Sequence, residues 1–404
     1  MLNETRGQKF YFKCAESEDL ANYTEGGYHP IHLGDVIPRS AEHSKAKYRI
    51  IYKLGHNRHS TMWLGICMED TAHYVVLDVG ISRSRNRDNE LEIIASASSS
   101  STQDQGCQNI LKILDQFKIT GPNGCHTVFV SELMWTIDHR EIRLRARWYG
   151  CHSIMSTRTS ADYHSAISHK AFFLKMRKTK PDQFKSLRAR MGAPDCRPVL
   201  MAGMASEPHR HPKYACTPAH PLDALPSFFI DVGVEDVCIL LSCFADAFQT
   251  RANGAGRFSD SGNMCMPPDM IIFQKPCSPA SDIWALGCTL YYMITGSLIA
   301  VPGSAAQEQL KSTVDNLGPL PIDWWNASPT KPYELSSSVS SSITWQKLQE
   351  HYLEIRVDRS AGTQSPQQDA DDLVQLIRSM LSYDPETRPT IRDCLNHPWF
   401  ACIV

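Results

Sequence analysis

Between Ile283 and Val301 the chain reads IWALGCTLYYMITGSLIAV, without one charged side chain. A run of this length either spans a bilayer, which takes about 20 apolar residues, or lies buried on all sides in a protein large enough to surround it. Two glycines, a tyrosine pair and two threonines interrupt the run, and Asp282 stands immediately before it, which favours burial. A chain of 404 residues with 42% hydrophobic and 21% charged side chains can supply the surrounding core. A large helical body is therefore expected around this segment, and a membrane is not an expected partner.

The remaining composition narrows the classes further. Met1 to Asn22 mixes charges and polar groups with no apolar run, so neither a secretory signal nor an anchor is expected there, and the expected compartment is intracellular. A formal charge of -2 argues against nucleic acid as a partner. The 14 cysteines are scattered singly with no CxxC pair, the pattern of reduced thiols rather than of disulfides. His209, His211, Cys216 and His220 are of metal-ligand type, but no zinc spacing fits them, and they read as part of a proline-rich insertion.

Before the apolar run the pattern is that of strands. Residues 1–27 read as a flexible leader, and YHPIHLGDVIP (Tyr28 to Pro38) introduces a domain. RIIYKLG, TMWLGIC and YVVLDVG are short runs of β-branched and aromatic residues separated by polar turns, as in an antiparallel meander. NELEIIA (Asn89 to Ala95) has helical spacing, with Leu91 and Ile94 three apart and Glu90 on the adjoining face. Ser96 to Thr102 reads as a loop, and 110–116 and 126–133 as two more strands. After about residue 280 the pattern is helical, including Asp371 to Leu381 and Ile391 to Pro398, with a serine-rich loop at 336–342. The expected fold is α+β: a small antiparallel β lobe over 28–135 and a larger helical lobe over 136–404, the latter with an irregular insert at about 138–235.

YHPIHLGDV followed by KLGHNRHSTMWLG resembles the opening of a protein kinase domain of the SR-protein-kinase-like branch found in fungi. SDIWALGCTLYYMITG, NLGPLPIDWW and LSYDPETRPTIRDCLNHPWF resemble later segments of the same branch. The resemblance implies the bilobal eukaryotic protein kinase fold, ATP as cofactor, and serine/threonine phosphorylation of serine-arginine-rich proteins. It implies an adenine slot lined by Leu54, Gly55, Met62 and Val76 and edged by the backbone from Glu132 to Met134. It also implies that Glu90 faces the third strand, that Asp269 pairs with Arg388, and that Asp282 accepts hydrogen bonds from the catalytic loop.

The chemistry that phosphoryl transfer needs is missing at the matching positions. A lysine on the phosphates, a carboxylate on Mg²⁺, an asparagine on a second metal and an aspartate at the substrate hydroxyl are required. The third strand, Val75-Val76-Leu77-Asp78, has an aspartate in place of the lysine, which is expected to repel both phosphates and Glu90. Cys243 stands where the metal-binding aspartate belongs, and a thiol is a poor ligand for a hard ion. No asparagine occurs between Asn123 and Asn253, and His139-Arg140-Glu141 follows Glu132 too closely to be a catalytic loop. Asp162 and Asp246 are the remaining weak substitutes. In the hairpin after Gly55, Asn57, Arg58 and Ser60 replace small residues that let amides reach phosphate. Weak ATP binding, little use for Mg²⁺, and a binding module in place of an enzyme are expected. The alternative is an active kinase whose reading frame is altered across roughly residues 138–172.

Overall fold

The computed structural model describes residues 2–5, 8–11, 17–38, 47–69, 73–84, 87–99, 109–136, 163–164, 172–176, 189, 192–202, 208–219, 237–242, 244, 247–249, 265–300, 305–328, 342–355 and 365–401. The chain divides into two compact units: Met1–Leu91, Leu111–Thr136 and Leu174–Val237 form the first, and Glu92–Ile110, Ile137–Phe173 and Cys238–Val404 the second.

The first unit is built on a six-stranded antiparallel sheet. Its strands are β1 (Val36–Pro38), β2 (Lys47–Asn57), β3 (Ser60–Cys67), β4 (Tyr74–Gly80), β5 (Ile113–Gly121) and β6 (Gly124–Glu132), in the order β1-β2-β3-β4-β6-β5. Period-two alternation assigns the faces. Trp63, Val75, Leu77, Val79, Val128 and Val130 join one apolar cluster, so Met62, Val76, Asp78 and Phe129 lie on the opposite face. The two faces thus separate a packing surface from a surface that carries a charged residue.

Two segments expected elsewhere belong to this unit. Residues 17–27 are not a free leader: Leu20 and Tyr23 are buried in a cluster with Tyr28 and Ile81, and the buried Asn123 side chain donates to the Tyr28 carbonyl at 2.7 Å. The segment around 192–219, expected as an insert of the helical lobe, contributes β7 (Cys196–Pro198) and β8 (Tyr214–Cys216), paired antiparallel. Ala219 N–H donates to the Lys53 carbonyl at 2.7 Å, and Leu33 N–H to the Tyr214 hydroxyl at 2.9 Å. Hydrogen bonds to β2 and to the segment before it thus hold this segment to the sheet unit. Local periodicity carries no trace of such long-range pairs.

Helix α1 (Arg87–Ser99) follows β4, and its backbone runs on through residues expected as loop. In the second unit the expected buried helix is α2's neighbour in sequence: α2 is Pro268–Phe273 and α3 is Pro279–Thr295. A capping box between Ser278 and Ser281, proline at the first turn, and Gly296 in the left-handed region (φ 69°) set the ends of α3. Trp284, Leu286 and Leu290 are almost fully buried. The chain continues through α4 (Ala306–Leu317), α5 (Ile322–Ala327), α6 (Ser342–Ile355), α7 (Pro366–Met380), α8 (Ile391–Leu395) and α9 (Pro398–Ala401).

Helices α6 and α7 both pack on α3. A Cβ on Gly287 would come within 3.1 Å of Met380 and Leu381, so the absence of a side chain there lets α3 and α7 approach. Among the described residues, no helix is long and apolar enough to cross a membrane.

Candidate functional site

Asp78 sits on β4 opposite Met62 of β3 and Phe129 of β6. Sequence reasoning set this carboxylate against Glu90, but the structure places Arg87 between them. Arg87 Nη1 lies 2.9 Å from Asp78 Oδ2 and 2.9 Å from Glu90 Oε2, and Nη2 donates to the Asp78 carbonyl at 3.2 Å. The guanidinium stacks 4.5 Å from the Phe129 ring centroid. Gly80 makes room for it, since a Cβ there would lie 2.6 Å from Arg87 Nε. The expected repulsion is thus offset by a cation on the first turn of α1, one helical turn before Glu90. The signal was present in sequence as an i, i+3 pair of opposite charge, Arg87 and Glu90.

The electrostatics follow from burial. Arg87 and Glu90 side chains are each 4% exposed and Asp78 is 22% exposed. Burial opposes the charged form of Arg87, but Asp78 and Glu90 more than offset it and raise its pKa, so the guanidinium stays charged. Burial also pushes the Glu90 carboxyl above its usual range; Arg87 works against that shift and Asp78 adds to it. One cation serves two acids, so the formal charge of the group is one negative. Asp78 Oδ1 is buried and has no hydrogen-bond partner among the described residues.

The hairpin between β2 and β3 closes in two residues, Arg58 and His59, with Asn57 opposite Ser60. Its tip is satisfied internally. The Asn57 side-chain carbonyl accepts from His59 N–H at 2.7 Å and from the Ser60 hydroxyl at 3.3 Å. Ile81 N–H donates to the His59 carbonyl at 2.7 Å, and the Tyr28 hydroxyl to the Asn57 carbonyl at 2.7 Å. The His59 amide, which a glycine-rich tip would direct at an anion, is therefore already spent.

The residues expected around adenine lie on adjoining strands of this unit. Gly55 pairs with Met62, Leu64 pairs with Val76, and Val75 with Glu132. Leu54, Met62, Val76 and Met134 are buried at 5%, 6%, 1% and 2% exposure. Sequence reasoning missed a second buried ion pair just before them. Lys53 Nζ binds Glu18, which also accepts from the Tyr23 hydroxyl, and the ammonium lies 5.6 Å from the Trp63 ring centroid. Burial raises the Glu18 carboxyl, but Lys53 and Tyr23 outweigh it and hold it below its ordinary value.

The chain is similar to protein kinases. Residues 261–400 match the protein kinase domain family. The serine/threonine-protein kinase SRPK of Physarum polycephalum is 26% identical over 96% of this chain and 92% of its own length. Human SRSF protein kinase 3 is 31% identical over 30% of this chain and 20% of its own length. The serine/threonine-protein kinase SKY1 of Saccharomyces cerevisiae is 33% identical over 29% and 16%. A crystal structure of a kinase domain covers 92% of this chain and 98% of its own, with a TM-score of 0.51 at 14% identity. Residues 261–400 thus resemble a protein kinase domain, and the chain is similar along most of its length to a serine/threonine-protein kinase of the SRPK type.

The expected ion pair of the helical unit is present. Arg388 Nη2 lies 2.5 Å from Asp269 Oδ1, with the Asp269 side chain 4% exposed. The same guanidinium donates to the carbonyls of Ser382, Tyr383 and Ala280 at 2.8, 2.9 and 3.1 Å, and stacks 5.1 Å from the Trp284 ring centroid. Burial lowers the Arg388 pKa, and Asp269 partly restores it. Asp282 is 5% exposed on the first turn of α3. Asp162, Cys243, Asp246 and the segment His139 to Glu141 lie outside the described residues. His209 is exposed, His211 and Cys216 are buried, and His220 lies outside the described residues. Among the described residues no three His, Cys, Asp or Glu side chains converge as a metal site.

Proposed function

We propose that this kinase-like protein has lost phosphoryl transfer and works as a binding module with its adenine slot retained. The observation that carries the reading is Arg87, whose charge is consumed by Asp78 and Glu90. A lysine–glutamate pair at this point is neutral; here one net negative charge remains. Two unit charges about 4 Å apart at an effective dielectric near 20 interact by about 4 kcal/mol. Moving from attraction to repulsion at the phosphates therefore weakens ATP far more than adenosine. The spent amide at the hairpin tip acts in the same direction. Cys243 in the metal-ligand position supports little gain from Mg²⁺. The partner class is a serine-arginine-rich protein segment, as the name of the human relative suggests, and the setting is intracellular.

Calorimetric titration tests the reading. Adenosine should bind as well as or better than ATP, with little change on adding Mg²⁺, and transfer to serine-arginine peptides should be negligible. Tight, Mg²⁺-dependent ATP binding or a turnover of about 1 per second would overturn it. Sequencing the transcript across codons 130–250 tests the altered-frame alternative.

A further inference from the structure

We propose that Cys196 and Cys216 are a reversible disulfide site, closed by exchange with a small-molecule disulfide of the glutathione type. The inference is independent of the nucleotide reading above.

The ladder between β7 and β8 sets the two cysteines directly opposite each other. Thr217 N–H donates to the Asp195 carbonyl at 2.9 Å and Val199 N–H to the Lys213 carbonyl at 3.0 Å. Hydrogen-bonded pairs alternate along an antiparallel ladder, so Cys196 and Cys216, one step in from the Asp195–Thr217 pair, occupy a non-hydrogen-bonded position. There Cα atoms approach to about 4.5 Å and side chains lie closest, inside the Cα range that a disulfide accepts. The Sγ atoms are 2.7 Å apart. No backbone movement is needed to join them, because the ladder already holds the two Cβ atoms on the same side.

The two thiols differ in access. Cys196 is half-buried and Cys216 is buried, next to the Lys53–Glu18 pair. Burial and the neighbouring Cys196 push the Cys216 thiol well above its ordinary value. Cys196 is therefore the entry point and Cys216 the resolving thiol. The Cys196 thiolate attacks one sulfur of glutathione disulfide, forming a mixed disulfide and releasing one glutathione thiolate. Cys216, giving up its proton to solvent, then attacks the Cys196 sulfur and expels the second glutathione. The protein dithiol is oxidised to a disulfide, and one glutathione disulfide is reduced to two thiols. The closed bond ties the two strands just before Ala219, whose N–H holds the Lys53 carbonyl beside Leu54 and Gly55.

The experiment equilibrates the full chain with graded ratios of reduced and oxidised glutathione, quenches with acid, alkylates, and maps the digested peptides by mass. A linked Cys196–Cys216 peptide should form, lighter by two hydrogens. Its midpoint should lie at a ratio more than about tenfold more reducing than in the urea-unfolded chain, because the ladder raises the effective thiol concentration. Cys216→Ser should trap glutathione on Cys196, whereas Cys196→Ser should leave Cys216 unmodified. If a variant does not fold, the midpoint of the unaltered chain decides. No linked peptide, glutathione on Cys196 without closure in the unaltered chain, or equal midpoints in the native and unfolded chains would each overturn the proposal.

Discussion

Replacing Arg87 with alanine removes the one cation shared by Asp78 and Glu90, each 2.9 Å from Nη1. The two carboxylates then face each other across about 5 Å, and at an effective dielectric near 20 their repulsion is about 3 kcal/mol. Breaking a buried pair by deleting one partner costs about 3 to 5 kcal/mol by experience, and the contact with Phe129 adds about 0.5 to 1. A loss of at least about 3 kcal/mol is therefore expected, read as a lower urea midpoint at pH 7 for the sheet unit. The pH dependence provides the sharper test. Burial already raises the Glu90 carboxyl, and without Arg87 it rises further. A folded pKa above the unfolded one favours the protonated form in the native state, so the variant should regain stability as pH falls from 7 toward 5. Glu90→Gln in the Arg87→Ala background should restore most of the loss at pH 7. A loss below about 1 kcal/mol, or no recovery on acidification, would refute the bridging role.

Arg388→Lys should destabilise the helical unit by about 2 kcal/mol or more, because an ammonium cannot reproduce the fork that meets Asp269 and three carbonyls; thermal unfolding against Arg388→Ala measures how much charge alone recovers. His29 is half-buried beside His126 and its pKa is pushed down to about 4, by burial first and then by His126 and His32. The unfolded chain takes up a proton near pH 6.5 that the folded chain refuses, so this contribution is present above 6.5 and is lost as pH falls toward 4. After discounting for screening it amounts to about 1 to 2 kcal/mol. Urea midpoints between pH 7 and 4.5 should fall less steeply in His29→Gln; an equal fall in both proteins would remove His29 from the account.

Much of the fold was legible because it follows from short-range pattern. The alternation in YVVLDVG places Val75, Leu77 and Val79 in the core and Asp78 on the other face. The uncharged run after Asp282 had to become a buried helix, and Pro279 and Gly296 at its ends are readable signals. The aspartate at position 78, on the strand Tyr74–Gly80, is likewise a property of the sequence alone. Its consequence was not: whether Asp78 repels Glu90 or shares Arg87 with it depends on how the first turn of α1 sits over β4, and on the space that Gly80 leaves. The same holds for Glu18 and Lys53, which are 35 residues apart, and for the strands at Cys196 and Cys216, which pair across 20 residues. Periodicity reports which face a residue is on, since that is decided by the backbone's own repeat. Which charges and thiols meet across those faces is decided by contacts distant in sequence, and only the tertiary structure brings them together.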